Sequence, residues 1–232
     1  MIEKTCLIVD DEAAYQKRVF ETSVANNLRP KGINVNLILV DTTDKDLQTD
    51  EKIDLKKIKL YIEDKIKNLK LDVVACDYEL SSRDVNGIDV IREIRALRPK
   101  TKIFLYSGKY EKVIGDIVKE IQKGDQQSIN SGIQAIKNIY SSRIEEFLER
   151  NDYSTRLVGV LQNNNDSIDD IFIKKIREYS ELRFKSCYPI FEGKTLGEIT
   201  EEIEKETHSS QKFLEELVEQ TVAYLIKTNQ DE

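Results

Sequence analysis

Hydrophobic positions along the chain fall into two regimes. Up to residue 107, short apolar runs alternate with stretches in which every third or fourth residue is apolar. Thr5 to Val9, Val35 to Val40, Val73 to Cys76 and Lys102 to Tyr106 are the short runs, and they read as strands. Between them lie Val19, Phe20 and Val24, then Leu55, Ile58, Ile62, Ile66 and Leu69, then Val90, Ile91, Ile94 and Leu97. These three sets have helical spacing, and Pro30-Lys31-Gly32 and Pro99 stop the first and third helices. The polar stretch 41–54 reads as a surface loop. Strand and helix in alternation imply right-handed βαβ units. The expected fold is therefore α/β, a doubly wound parallel sheet of four or five strands.

Beyond Ser107 only helical spacing remains. Tyr110, Val113, Ile114, Ile117, Val118 and Ile121 mark one apolar face, closed by Gly124. Ile129, Ile133, Ile136, Tyr140, Ile144, Phe147 and Leu148 read as one long helix. Tyr153, Leu157 and Leu161 mark a shorter one. Thr195-Leu196-Gly197-Glu198 is a capping box opening another. A last helix carries Phe213, Leu214, Leu217, Val218 and Leu225. The pattern predicts an α/β domain over 1–124 and an all-helical region over 125–232.

The strands end in chemistry. Asp10-Asp11 closes the first, Asp77 the third and Ser107 the fourth. In such sheets the binding crevice lies beyond the C-terminal strand ends. Three carboxylates gathered there repel one another unless a cation sits between them. Hard oxygen donors suit Mg²⁺. A carboxylate beside such an ion can attack a phosphoryl group and form an acyl phosphate. A hydroxyl and backbone N–H groups from the next strand would hold the transferred oxygens.

Leu7-Ile8-Val9-Asp10-Asp11-Glu12, the strand-end Asp77, Gly87 after it and Ser107 resemble the receiver domain of bacterial response regulators, the CheY-like fold. The resemblance covers about residues 4–122. It implies that Asp77 is the phosphoacceptor and that Asp10 and Asp11 bind Mg²⁺. It also implies that the backbone carbonyl of Glu79 adds a ligand and that Ser107 is the switch hydroxyl. The departures are an interval from Asp11 to Asp77 longer than the family's, a late Gly87, and Gly108 where the family favours Ala. The family's fifth strand, with its Lys-Pro pair, is not where it should follow. Asp169 to Lys175 read as a strand would offer Lys174 as the phosphate-binding lysine. Read as a helix, with Ser167 to Asp170 as its capping box, the same stretch leaves that charge lost or supplied from elsewhere, with Lys109 as a candidate. The helical reading is favoured.

Charge narrows the partners. The formal net charge is −7. Residues 1–150 hold 26 acidic and 26 basic side chains, so the remainder, with 17 acidic and 10 basic, carries all of it. An acidic C-terminal half argues against nucleic acid. The absence of a signal peptide or a membrane-length apolar run points to the cytoplasm. Cys6, Cys76 and Cys187 lack metal-ligand spacing. His208, the only histidine, sits between two helices and reads as an exposed turn residue.

These features lead to a phosphoacceptor switch of a two-component phosphorelay. A histidine kinase or kinase-like ATPase would modify Asp77 with Mg²⁺ present. The helical region would then contact a downstream protein or a second copy of the chain. The alternatives are a receiver-like scaffold that binds its partner without phosphorylation and a Mg²⁺-dependent phosphohydrolase. Enzymatic turnover is not expected, because only Glu79 lies near enough to act as a general acid or base.

Overall fold

The computed structural model describes residues 2–67, 69–82, 84–108, 110–162, 168–185, 188–205 and 207–230. The chain divides into two compact units, Met1–Asn165 and Asp166–Glu232.

The first unit opens with β1 (Ile2–Asp10). Helix α1 (Ala13–Val19) follows and continues through a π-helical turn, Phe20–Ala25, into the short α2 (Asn26–Leu28). Gly32, at φ 75°, ends this arm and leads into β2 (Ile33–Asp41). The stretch after β2 is more structured than a loop. It forms a 3-10 turn and a two-stranded ribbon, β3 (Gln48–Thr49) and β4 (Lys52–Ile53). Helix α3 (Leu55–Ile66), strand β5 (Val73–Asp77), helix α4 (Gly87–Leu97) and strand β6 (Lys102–Ser107) come next, as the periodicity predicts.

After β6 the chain departs from that reading. Helices α5 (Tyr110–Gln122) and α6 (Gln126–Ser141) form a hairpin. The long helix expected through Leu148 breaks at Arg143, which has a positive φ of 46°. Residues Glu146–Glu149 then form β7, a fifth strand, and α7 (Tyr153–Gln162) follows. The sheet order is β2-β1-β5-β6-β7, all parallel. Counting only the strands of this sheet, the order is 2-1-3-4-5, that of the flavodoxin-like doubly wound fold.

Alternate residues of each strand feed two cores, because side chains alternate across a sheet. Leu7, Val9, Val74, Cys76, Ile103 and Leu105 pack against α3 and α4. Cys6, Ile8, Ala75, Phe104, Tyr106 and Leu148 pack against the first helical arm and α7. Burial on both faces explains why the central strands read as continuous apolar runs. It also explains why the first unit extends to Asn165. The expected boundary at 124/125 falls between α5 and α6, and a cut there would remove both the edge strand β7 and the helix covering one face.

The second unit is helical: α8 (Ile168–Arg177), α9 (Leu196–Glu204) and α10 (His208–Gln230). Ile173, Tyr188, Phe191, Ile199, Ile203 and Phe213 form its core. The capping box is present: Thr195 Oγ1 accepts from Glu198 N at 3.1 Å, and Glu198 Oε2 accepts from Thr195 N at 2.7 Å. His208 is exposed and opens α10. No helix among the described residues is long and apolar enough to cross a membrane.

Candidate metal and phosphoacceptor site

Strands β1 and β5 are neighbours in register, with Val9 opposite Cys76. Their next residues, Asp10 and Asp77, therefore leave the sheet side by side. Asp11 follows directly. Each of the three offers a carboxylate oxygen, and these oxygens lie within 4.8 Å of one another. Asp10 and Asp77 are fully buried.

Gly87 fixes the floor beneath Asp77. Its N–H donates to Tyr78 O at 3.0 Å, and a Cβ there would lie 2.1 Å from the Asp77 carbonyl oxygen. Any side chain would push the acidic strand end away. Gly87 is also the first residue of α4, held by a capping box between Asn86 and Asp89.

Burial dominates the electrostatics. It raises the Asp77 carboxyl to about 7, against the pull of the neighbouring Arg150 guanidinium and with a further push from Asp10. Burial likewise raises Asp10, and the Tyr106 hydroxyl opposes it. Raised carboxyls mark negative charge that the surrounding protein compensates only in part. An all-carboxylate donor set of this kind fits a hard divalent cation such as Mg²⁺.

The cation beside Asp77 is one the sequence did not reveal. Arg150 follows β7 directly, and its N–H donates to Ser107 O at 3.0 Å. Its Nη2 donates to Asp77 Oδ2, and its Nη1 meets Glu12 Oε2 at 2.6 Å. Its buried Nε has no acceptor among the described residues. Arg150 thus stands one residue past the fifth strand, facing the acidic cluster.

Ser107 is at the end of β6 and is almost fully buried. Glu79 donates its backbone N–H to Asp77 Oδ1 at 3.3 Å. With Asp11, Tyr78, Ser81, Asn86 and Asp116 it lines an open cleft of about 510 Å³. Ser81, at a positive φ of 51°, donates its hydroxyl to Asp11 Oδ2. Lys174 is on helix α8 of the second unit, so the strand that would have made it a phosphate ligand does not exist; the apolar residues of that stretch fall at helical, not alternating, spacing. Lys109, Ser167 and Cys187 lie outside the described residues.

A buried network backs Asp10. Its Oδ1 accepts from Glu12 N at 2.6 Å, and its Oδ2 accepts from Gln16 Nε2 at 2.9 Å and from the Tyr106 hydroxyl. The Tyr153 hydroxyl donates to Gln16 Oε1. The Tyr106 and Tyr153 rings stack, with centroids 4.4 Å apart and planes 14° from parallel. Tyr106 is fully buried in the sheet's second core, and its hydroxyl adds a polar role there.

No protein-family model matches the chain, and no curated protein does. Among solved structures, a signal receiver domain of an HD domain-containing protein from Pseudomonas fluorescens Pf-5 is 15% identical, with a TM-score of 0.40, over 69% of this chain and 92% of that one. A response regulator receiver domain protein from Clostridium thermocellum is 19% identical, with a TM-score of 0.38, over 75% and 98%. The response regulator TrrA from Thermotoga maritima, in complex with Mg²⁺ and beryllofluoride, is 17% identical, with a TM-score of 0.36, over 68% and 98%. Each of these three is, by its name, a receiver domain or a response regulator.

Proposed function

We propose that the first unit is a phosphoacceptor module in which Asp77 is modified on its carboxylate. The observation that carries this reading is the meeting of Asp77 with two further carboxylates and one guanidinium at the C-terminal end of the sheet. Asp10, Asp11 and Asp77, with the Glu79 carbonyl, would hold Mg²⁺. The bound ion supplies charge neutralisation on the phosphoryl oxygens.

The chain's own residues do the rest. Arg150 favours the ionised form of Asp77, the nucleophilic form. One Asp77 oxygen forms a bond to phosphorus while the bond from phosphorus to the donor's leaving group breaks, and the leaving group keeps the electron pair. Arg150 then pairs with a phosphoryl oxygen, for which a planar guanidinium is well suited. Ser107, whose carbonyl already holds the Arg150 backbone, places its hydroxyl at the same strand end. The donor is a histidine kinase or a kinase-like ATPase. The readout is a protein contact, with a downstream partner or a second copy, made by a soluble cytoplasmic protein. Phosphoester turnover is not part of this reading.

One observation favours a second reading. Arg150 already bridges Asp77 and Glu12 without any modification, which suits a scaffold whose partner binds constitutively. The two separate on one comparison. Wild type and Asp77→Asn are treated with acetyl phosphate or beryllofluoride plus Mg²⁺, then weighed and sized. An adduct on wild type alone supports the phosphoacceptor. No adduct on either leaves the scaffold.

A further inference from the structure

The hydrogen bonds at Asp10 divide its two oxygens between different tasks. A carboxylate oxygen offers two lone pairs. Oδ2 uses both, on Gln16 Nε2 and the Tyr106 hydroxyl. Oδ1 accepts the Glu12 N–H and, among the described residues, is the oxygen left with an accepting direction. Gln16 is itself fully buried. The Tyr153 hydroxyl on its Oε1 fixes which end of the amide faces Asp10. Tyr153 in turn is held flat against Tyr106. Such a chain constrains the carboxylate's rotation about its own stem, and nothing in the phosphoacceptor chemistry above requires it.

We propose that Gln16, Tyr106 and Tyr153 are positioning residues for the cation site: they pin one oxygen of Asp10 and present the other to the ion. The proposal rests on the reading above for the ion itself. Partners behind a ligand are known to set its orientation and to govern metal affinity by about 10- to 100-fold. Tyr153 lies three residues past Arg150, so the short segment after β7 supports both sides of the site. Through Arg150 it faces the phosphoacceptor, and through Tyr153 it backs the metal ligand.

Mn²⁺ serves as the probe, with free ion read by its electron paramagnetic resonance signal on the full chain. Tyr106→Phe keeps the ring stack and removes one donor. Gln16→Met keeps the volume and removes the amide. Each is expected to weaken Mn²⁺ binding by about tenfold, and Tyr153→Phe by less, because it acts through Gln16. The thermal midpoint in EDTA is measured alongside. A purely structural role would lower that midpoint and leave the Mn²⁺ dissociation constant where it was, which overturns the proposal. Should Tyr106→Phe fail to fold, Gln16→Met and Tyr153→Phe decide. If wild type binds Mn²⁺ and the folded variants match it, only the positioning role falls. If wild type binds no Mn²⁺, the cation reading falls and takes this proposal with it.

Discussion

Replacing Asp77 with Asn is expected to stabilise the protein in the absence of divalent cations, and to do so more as pH rises. Burial holds the Asp77 carboxyl at about 7, against an ordinary value of 3.8. The folded state therefore binds the proton more tightly than the unfolded chain does. The resulting contribution to stability is complete below the ordinary value and is lost as pH rises towards the folded one. A shift of three units corresponds to roughly 4 kcal/mol lost by pH 8, taken as a ceiling. Asn carries no charge, so it escapes this loss, although it also gives up part of the Arg150 contact. Urea unfolding in EDTA, followed by circular dichroism, would show wild type and variant close together at pH 4. At pH 8 they would stand apart by roughly 2–4 kcal/mol, with the variant the more stable. Added Mg²⁺ would then raise wild type and leave the variant in place. A variant that is less stable at pH 8, or a gap that does not change with pH, would refute the electrostatic account of the site.

Gly87→Ala places a methyl against the Asp77 carbonyl and should cost on the order of 3 kcal/mol by overpacking; chemical denaturation measures it, and a cost below 1 kcal/mol would mean that α4 shifts freely. Leu157→Ala opens a cavity in a fully buried position on α7 and should cost about 2–5 kcal/mol. A fragment of residues 1–165 should unfold cooperatively, whereas one of residues 1–124 should show no sharp transition, because it lacks β7 and α7; calorimetry on both decides. Thr195→Ala removes the cap of α9 and should lower the stability of the second unit by about 1 kcal/mol, read from its own unfolding transition.

Much of the α/β unit was legible because β1, β5 and β6 are buried on both faces and therefore spell unbroken apolar runs. The acids at their ends were legible for the same reason: a run that stops on Asp is visible without any structure. β7 was not legible. Of its four residues only Leu148 is buried, and Phe147 and Leu148 continue the helical spacing set by Tyr140 and Ile144. The break between them depends on Arg143 adopting positive φ, a conformation its side chain does not advertise. With the strand hidden, Arg150 had no reason to stand out among 36 basic residues. The ribbon β3–β4 was missed similarly. Its turn uses Asp50 and Glu51, both at positive φ, where Asn-Gly would have announced a hairpin. The Tyr106 contact was beyond reach for another reason: periodicity says that a tyrosine is buried, not which acid its hydroxyl meets.

The backbone tether from Arg150 to Ser107 has a further consequence. What aims the guanidinium is the alignment of Glu146–Glu149 along β6, not the identity of the side chain. Lysine at the same position would start from the same anchor. One residue inserted into that four-residue edge would instead turn the positive charge towards the opposite layer and strand Asp77 among its acidic neighbours, with every site residue still present in the sequence.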